Sequence, residues 1–191
     1  MNEWRQEKVR EPLGRWRSPG VWIFAYGSLM WRPGFTFEDG AVARLQGYHR
    51  SLCVFSWVHR GTRERPGLVF GLDRGGACRG FAYRVSPHQE STVLDYLDQR
   101  ELVTNVYRRK CLPIVTEHGR VSAWCYVVRR DHPQYAGWLD ETRRLDLIRH
   151  SEGRSGHCRD YVLSTVAHLE QMGVIDNGLR RLVRRLTERR G

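Results

Sequence analysis

The order of its hydrophobic periodicities is what most constrains how this chain can fold. Residues 21–26, 43–57, 68–72, 78–85, 107–116 and 121–128 read as strands. The run from Arg79 to Val85 alternates cleanly, and Glu117-His118-Gly119-Arg120 has the composition of a hairpin turn. One helix interrupts the strands. Ser86 suits its N-cap, Pro87 its first position, and Gln89 completes a capping box. Val93, Leu94, Tyr96 and Leu97 give that helix its buried stripe. Beyond residue 136 the pattern is helical, over 137–150 and 160–173, with Gly173 as a C-terminal stop and Asp176 as the cap of a last helix. Strands first, one inserted helix and helices last predict an α+β domain. Its mixed or antiparallel sheet would curl toward a barrel, with flanking and C-terminal helices, rather than form a doubly wound sheet.

Residues 1–20 read as a charged arm closed by Ser18-Pro19-Gly20, and 21–191 as a single domain without repeats or a linker. The arm lacks the apolar core of a secretory signal, and no apolar run reaches the roughly 20 residues that span a bilayer. The expectation is a cytoplasmic protein without a membrane partner. The 5 cysteines are odd in number, widely spaced and free of any C-x-x-C. Each lies in or beside an apolar segment, as buried free thiols do. The 8 histidines form no metal-binding spacing, so neither a metal nor a cofactor is expected. A net charge of +11 is compatible with a nucleic-acid, membrane or small-anion partner. The tail from Leu179 to Arg190 holds six arginines, with Leu179, Leu182, Val183 and Leu186 on one helical face. It reads as an amphipathic helix with a solvated basic side.

Four short constellations carry possible chemistry. In the first, Tyr26-Gly27-Ser28-Leu29, a buried strand breaks onto a glycine whose amide no side chain covers. It is an ordinary turn or a backbone cradle for a carboxylate or polarised carbonyl. In the second, Glu101 falls where the helical stripe runs out. The helix dipole opposes its charge there, and partial burial would lift its pKa toward that of a general base; the alternative is a solvated glutamate paired with Arg100 or Arg108. The third, residues 59–72 with Arg60-Gly61, is a basic lip over an anion or a surface loop. The fourth, residues 152–162, brings two glycines to a helix N-terminus with Tyr161 in the first turn. It is an anion site or a plain helix connection.

Taken in order, VWIFAYGSLMW, RLQGYHRSLC, Arg60-Gly61 followed by Arg65-Pro66-Gly67, RGFAYRV, Gln99-Arg100-Glu101, RDHPQY and the GRSG loop before Tyr161 resemble the ChaC family of glutathione-specific γ-glutamylcyclotransferases over about residues 20–180. The resemblance implies a γ-glutamylcyclotransferase-like fold and cleavage of glutathione to 5-oxoproline and cysteinylglycine. It assigns the catalytic role to Glu101 and the substrate cradle to Tyr26, Gly27, Ser28 and Leu29, with Arg60, Gly61 and Tyr161 at further binding positions. It implies glutathione as small-molecule partner, with no cofactor and no nucleic acid.

The chemistry suits those residue types. The α-amine of a γ-glutamyl compound attacks its own γ-carbonyl and closes a five-membered lactam, so folding the substrate supplies much of the rate. One carboxylate can take the ammonium proton and return it to the leaving nitrogen. Three positions depart from the family pattern: Ala25 and Asn105 where glycine is usual, and Cys158 where a polar residue is. None touches Glu101 or the cradle, though selectivity is more exposed to change than reaction type. The competing readings are a cyclotransferase for other γ-glutamyl peptides or amines, and a basic module for RNA or acidic proteins with a vestigial site.

Overall fold

The computed structural model describes residues 20–188; apart from Gly20, the expected N-terminal arm lies outside the described residues, as do Arg189 and Arg190. Five strands form a closed barrel: β1 (Val21–Ala25), β2 (Asp39–Ser56), β3 (Gly67–Val85), β4 (Tyr107–Thr116) and β5 (Gly119–Val128). The order around the ring is β1-β3-β2-β4-β5. Every pairing is antiparallel except the closing one, in which β1 runs parallel to β5 with Trp22 opposite Ala123. The expected α+β class and barrel-like sheet are present.

Two predicted strands, 68–72 and 78–85, are one long strand. β3 pairs with β2 from Ser56↔Gly67 to Asp39↔Arg84, with register shifts at Gln46/Tyr48 and Leu52/Val54. Such irregularities bend a ribbon and increase its twist. They let β2 and β3 serve the barrel with one half and pack against the helices with the other. The run Asp73-Arg74-Gly75-Gly76 lies within the ribbon, so its turn-like composition marks a bend and not a chain reversal.

β1 is apolar along its whole length because both of its faces are buried. Trp22, Phe24 and Tyr26 face one cluster with Leu45, Leu72, Ile114 and Cys125. Ile23 and Ala25 face a second cluster built with the helices, including Leu97, Ile148, Val162 and Leu169.

Four helices complete the domain: α1 (Glu90–Glu101), α2 (Glu141–His150), α3 (Cys158–Gln171) and α4 (Asn177–Thr187). A short hairpin, β6 (Glu152–Gly153) with β7 (Gly156–His157), separates α2 from α3. Among the described residues no helix is long and apolar enough to cross a membrane. Asp176 caps α4 as expected, accepting from the amides of Gly178 and Leu179, both at 3.1 Å. Leu179 and Leu186 are buried, with Leu182 and Val183 packed against the same core. The capping box at Ser86 does not form. Pro87–Gln89 is a single 3-10 turn and the Ser86 hydroxyl bonds no amide there, so the turn uses backbone bonding, Gln89 N to Ser86 O at 2.9 Å. All five cysteines are free, but Cys111 is exposed and the other four are buried. Cys111 sits on β4, most of whose residues lie outside the apolar clusters.

Candidate active site

The site begins where β1 ends. Tyr26 is buried, and its carbonyl accepts a 2.5 Å hydrogen bond from Nε of Arg50, itself only 6% exposed. The chain then turns through Gly27 into the 3-10 turn Ser28–Met30, closed by Met30 N donating to Gly27 O at 2.9 Å. Leu29 and Met30 are buried and pin the turn to the core. Among the described residues no acceptor faces the amides of Ser28 and Leu29, the two orphan donors of the turn's start. A Cβ at Gly27 would meet nothing within 4 Å. The glycine thus leaves open space in front of two bare amides. Ala25, where the family has glycine, is fully buried in the strand and disturbs nothing.

Opposite this turn stands the C-terminus of α1. The helix is clamped to the barrel wall through Asp98, which accepts from the Tyr126 hydroxyl at 2.6 Å and from Arg109 at 2.8 Å. Asp98 is three residues from Glu101 and fixes the roll of that last turn. After Leu102 the chain reverses through Asn105, the one described non-glycine residue with positive φ, 58°. Asparagine supports that geometry where most side chains do not.

Glu101 is the last residue of α1, and its side chain is 18% exposed. Loss of solvent raises its pKa above the ordinary carboxylate value, while the charge of Arg100, 3.2 Å away, acts in the opposite direction. The carboxylate is paired with Arg100 but is not solvated, and its pKa is still raised. Arg108 is not its partner. Arg100 also donates to Ser28 Oγ at 2.9 Å, to the Arg32 carbonyl at 3.0 Å and to the Tyr96 hydroxyl at 3.3 Å. One guanidinium thereby ties the Glu101 carboxylate to the turn.

Three tyrosines complete the surroundings. Tyr26, Tyr107 and Tyr161 are each raised in pKa chiefly by burial, and each is raised further by the negative charge of Glu101. They remain phenols at neutral pH, ready to donate hydrogen bonds. Tyr107 donates to the Phe70 carbonyl at 2.9 Å, and Tyr161, pushed up to about 12, accepts from the Phe70 amide at 3.4 Å. Arg60 lies over the Tyr161 ring, 5.0 Å from its centroid, and donates to the Ser155 carbonyl.

The third and fourth constellations are therefore one structure. The β2–β3 loop and the β6–β7 hairpin are joined backbone to backbone, Arg154 N to Val58 O at 2.8 Å and Ser155 N to His59 O at 2.9 Å. Gly61 lets its own loop close tightly, and Gly153 serves the docking. A Cβ at Gly61 would lie 2.0 Å from Gly67 N, and one at Gly153 would lie 2.5 Å from Gly61 N. Cys158 is buried and takes a donor-and-acceptor role with Leu68, N to Sγ at 3.2 Å and Sγ to O at 3.3 Å. Of the arginines in residues 59–72, Arg60 alone lines the cleft beside the cradle, a volume of about 290 Å³ that Ser28 and Tyr161 also border.

The predicted residues thus converge: Tyr26, Gly27, Ser28 and Leu29 from one turn, Glu101 facing it, and Tyr161 with Arg60 behind. Sequence reasoning missed Arg100, Tyr107 and Arg50. Arg50 carried the best signal, a charge inside the apolar run of β2; Tyr107 opens β4 and looked like an ordinary strand aromatic. Among the described residues no group of three His, Cys, Asp or Glu side chains is placed to hold a metal ion.

The closed five-stranded barrel with its flanking helices is the γ-glutamylcyclotransferase fold, and it sets the bare-amide turn beside the half-buried Glu101. The structure superposes on a yeast γ-glutamylcyclotransferase specific to glutathione with a TM-score of 0.78, at 21% identity, over 87% of this chain and 95% of that one. The ChaC-like protein model matches residues 21–189, and the chain belongs to that family. Among its relatives, the glutathione-specific γ-glutamylcyclotransferase of Escherichia coli is 33% identical over 164 residues, 85% of this chain and 71% of the relative. Glutathione-specific γ-glutamylcyclotransferase 1 of Mus musculus is 35% identical over 158 residues, 80% of this chain and 71% of the relative.

Proposed function

We propose that this protein is a γ-glutamylcyclotransferase that converts glutathione to 5-oxoproline and cysteinylglycine. The observation that carries the reading is the solvent-poor carboxylate of Glu101 facing a turn with two unpaired amides and open space over Gly27. Glu101, ionised, takes a proton from the substrate's α-ammonium. The freed amine attacks the γ-carbonyl carbon, forming the lactam C–N bond as the original amide C–N bond breaks. That proton passes from Glu101 to the departing nitrogen, and a second proton, lost by the attacking nitrogen as the lactam forms, follows the same route to leave the released amine as an ammonium, so the carboxylate is regenerated with no external reagent. The Ser28 and Leu29 amides are suited to hold the α-carboxylate or the developing oxyanion. Tyr26 and Leu29 shape the turn, Ser28 links it to Arg100, and Arg60 and Tyr161 face the remainder of the substrate. Gly61 contributes by letting the loop that carries Arg60 close tightly.

The names carried by the bacterial and mouse relatives support glutathione as the substrate. The reading also takes residues 21–191 as one domain, cytoplasmic and without a nucleic-acid partner. Incubation of the purified protein with glutathione, γ-glutamyl-alanine and γ-glutamyl-lysine, with 5-oxoproline quantified, is the test. Glutathione should give equimolar 5-oxoproline and cysteinylglycine. Absence of 5-oxoproline from all three refutes the activity; preference for the other two reassigns the substrate.

A further inference from the structure

The γ-glutamyl group, placed against the cradle and Glu101, leaves most of the adjoining cleft unassigned. That cleft continues past Ser28 between Trp31 and Arg32 on one wall and the α3 face bearing Tyr161 and His168 on the other, with Arg60 lining it as well. Trp31 and His168 stack at 4.7 Å and brace the two walls against each other. Two guanidinium groups border this space, and neither forms an ion pair among the described residues. Asp160, the one acid in the lining, forms no ion pair with either among the described residues. Elsewhere Arg50, Arg100, Arg109 and Arg130 each have a carboxylate partner. Arg32 and Arg60 thus keep their charge available to a ligand in the cleft.

Arg60 is also held in advance. One nitrogen donates to the Ser155 carbonyl and the plane lies over Tyr161, which is itself bonded to the Phe70 amide. The remaining N–H groups form a fixed fork of the kind that matches a carboxylate. A dipeptide leaving the scissile carbonyl extends roughly 7 Å, a reach suited to a cleft of about 290 Å³.

We propose that Arg60, assisted by Arg32, forms a second carboxylate subsite that reads the C-terminal carboxylate of the departing peptide. This rests on the cyclotransferase reading. It makes the protein selective for γ-glutamyl compounds whose departing part is a short peptide with a free carboxylate, over γ-glutamyl amines and over peptides ending in an amide.

The test uses the full chain carrying Glu101→Gln, so that binding is read without turnover, and titrates it calorimetrically with glutathione and with the same tripeptide ending in glycinamide. Glutathione should bind about 10- to 100-fold more tightly, the range of a charged hydrogen-bonded pair. Adding Arg60→Gln should shrink that ratio to about threefold or less, and Arg32→Gln should reduce it partially. Arg60→Lys, which keeps the charge and loses the fork, should fall between. Equal affinities in the parent protein overturn the subsite, as does a ratio that survives Arg60→Gln. An equal loss for both ligands on Arg60→Gln overturns it too, because Arg60 would then serve the γ-glutamyl end or the fold. Failure of the activity itself is read separately, as absent 5-oxoproline from the unmodified protein.

Discussion

Replacing Glu101 with glutamine removes one ionisable group and leaves side-chain volume unchanged, which separates catalysis from stability at this position. Loss of a positioned general acid–base group lowers kcat/KM by about 10²–10⁴-fold, and substrate folding by the cradle sustains the remainder. Stability should move the other way. Burial raises the Glu101 pKa, so the folded protein holds that proton more tightly than the unfolded chain does. The group therefore favours folding at pH below the ordinary carboxylate pKa and withdraws that support as pH rises through its raised value. At neutral pH the charge is a liability of about 1.4 kcal/mol per unit of elevation. The glutamine variant should thus melt at the same temperature as the parent or higher, a gain of 1 kcal/mol being about 2–4 °C in a chain of this size. Calorimetric melting at pH 7 and steady-state 5-oxoproline assays from pH 4 to 9 measure both. The parent should lose activity on the acid side at a pH above the ordinary glutamate range, as Glu101 takes up its proton. Undiminished turnover in the variant refutes Glu101 as the proton carrier. A lowered melting temperature refutes the desolvation argument.

Arg100→Lys keeps a charge beside Glu101 but cannot span Ser28, Arg32 and Tyr96, so kcat should fall about 10- to 100-fold. Arg100→Gln should in addition move the acid limb of the pH profile upward, since the Arg100 charge is what lowers the Glu101 pKa; superimposable profiles would count against it. Gly27→Ala should leave melting within about 0.5 kcal/mol, because its Cβ meets nothing, while KM for glutathione rises about tenfold as the methyl enters the substrate's space. Asn105→Val, forced to adopt φ 58°, should destabilise the fold by about 1–2 kcal/mol, and Asn105→Gly should be near neutral; equal melting of the two would remove the case for strain at that turn.

Much of this architecture is legible in the chain because local and global preferences agree. Strands β4 and β5, helices α2 to α4 and the Asp176 cap all follow from periodicity or from the chemistry of single residues. The join of 68–72 to 78–85 was not legible, because glycines that signal a turn also permit a bend within a ribbon. At the site, the cradle and Glu101 were local ambiguities that only their order along the chain resolved. Arg100 was visible but misread: adjacency to Glu101 suggested a surface pair, while its bonds to Ser28 and the Arg32 carbonyl depend on how α1 docks. Gly153 is another case, since its close approach to a loop distant in sequence leaves no trace in its own loop.

The parallel pairing of Trp22 with Ala123 carries a consequence for how the enzyme is made. It is the last joint of the ring, and it links the strand that ends in the cradle to a strand far along the chain. Contacts between distant segments form slowly, because the intervening loop must be closed first. Until that joint closes, Glu101 sits on a helix with nothing opposite it, and β1 and β5 offer unpaired edges to other chains. Catalytic competence therefore arises with ring closure, and a partly folded molecule is both silent and prone to aggregate. Regain of activity during refolding should lag regain of helical signal, which makes turnover a direct reporter of the final step in folding.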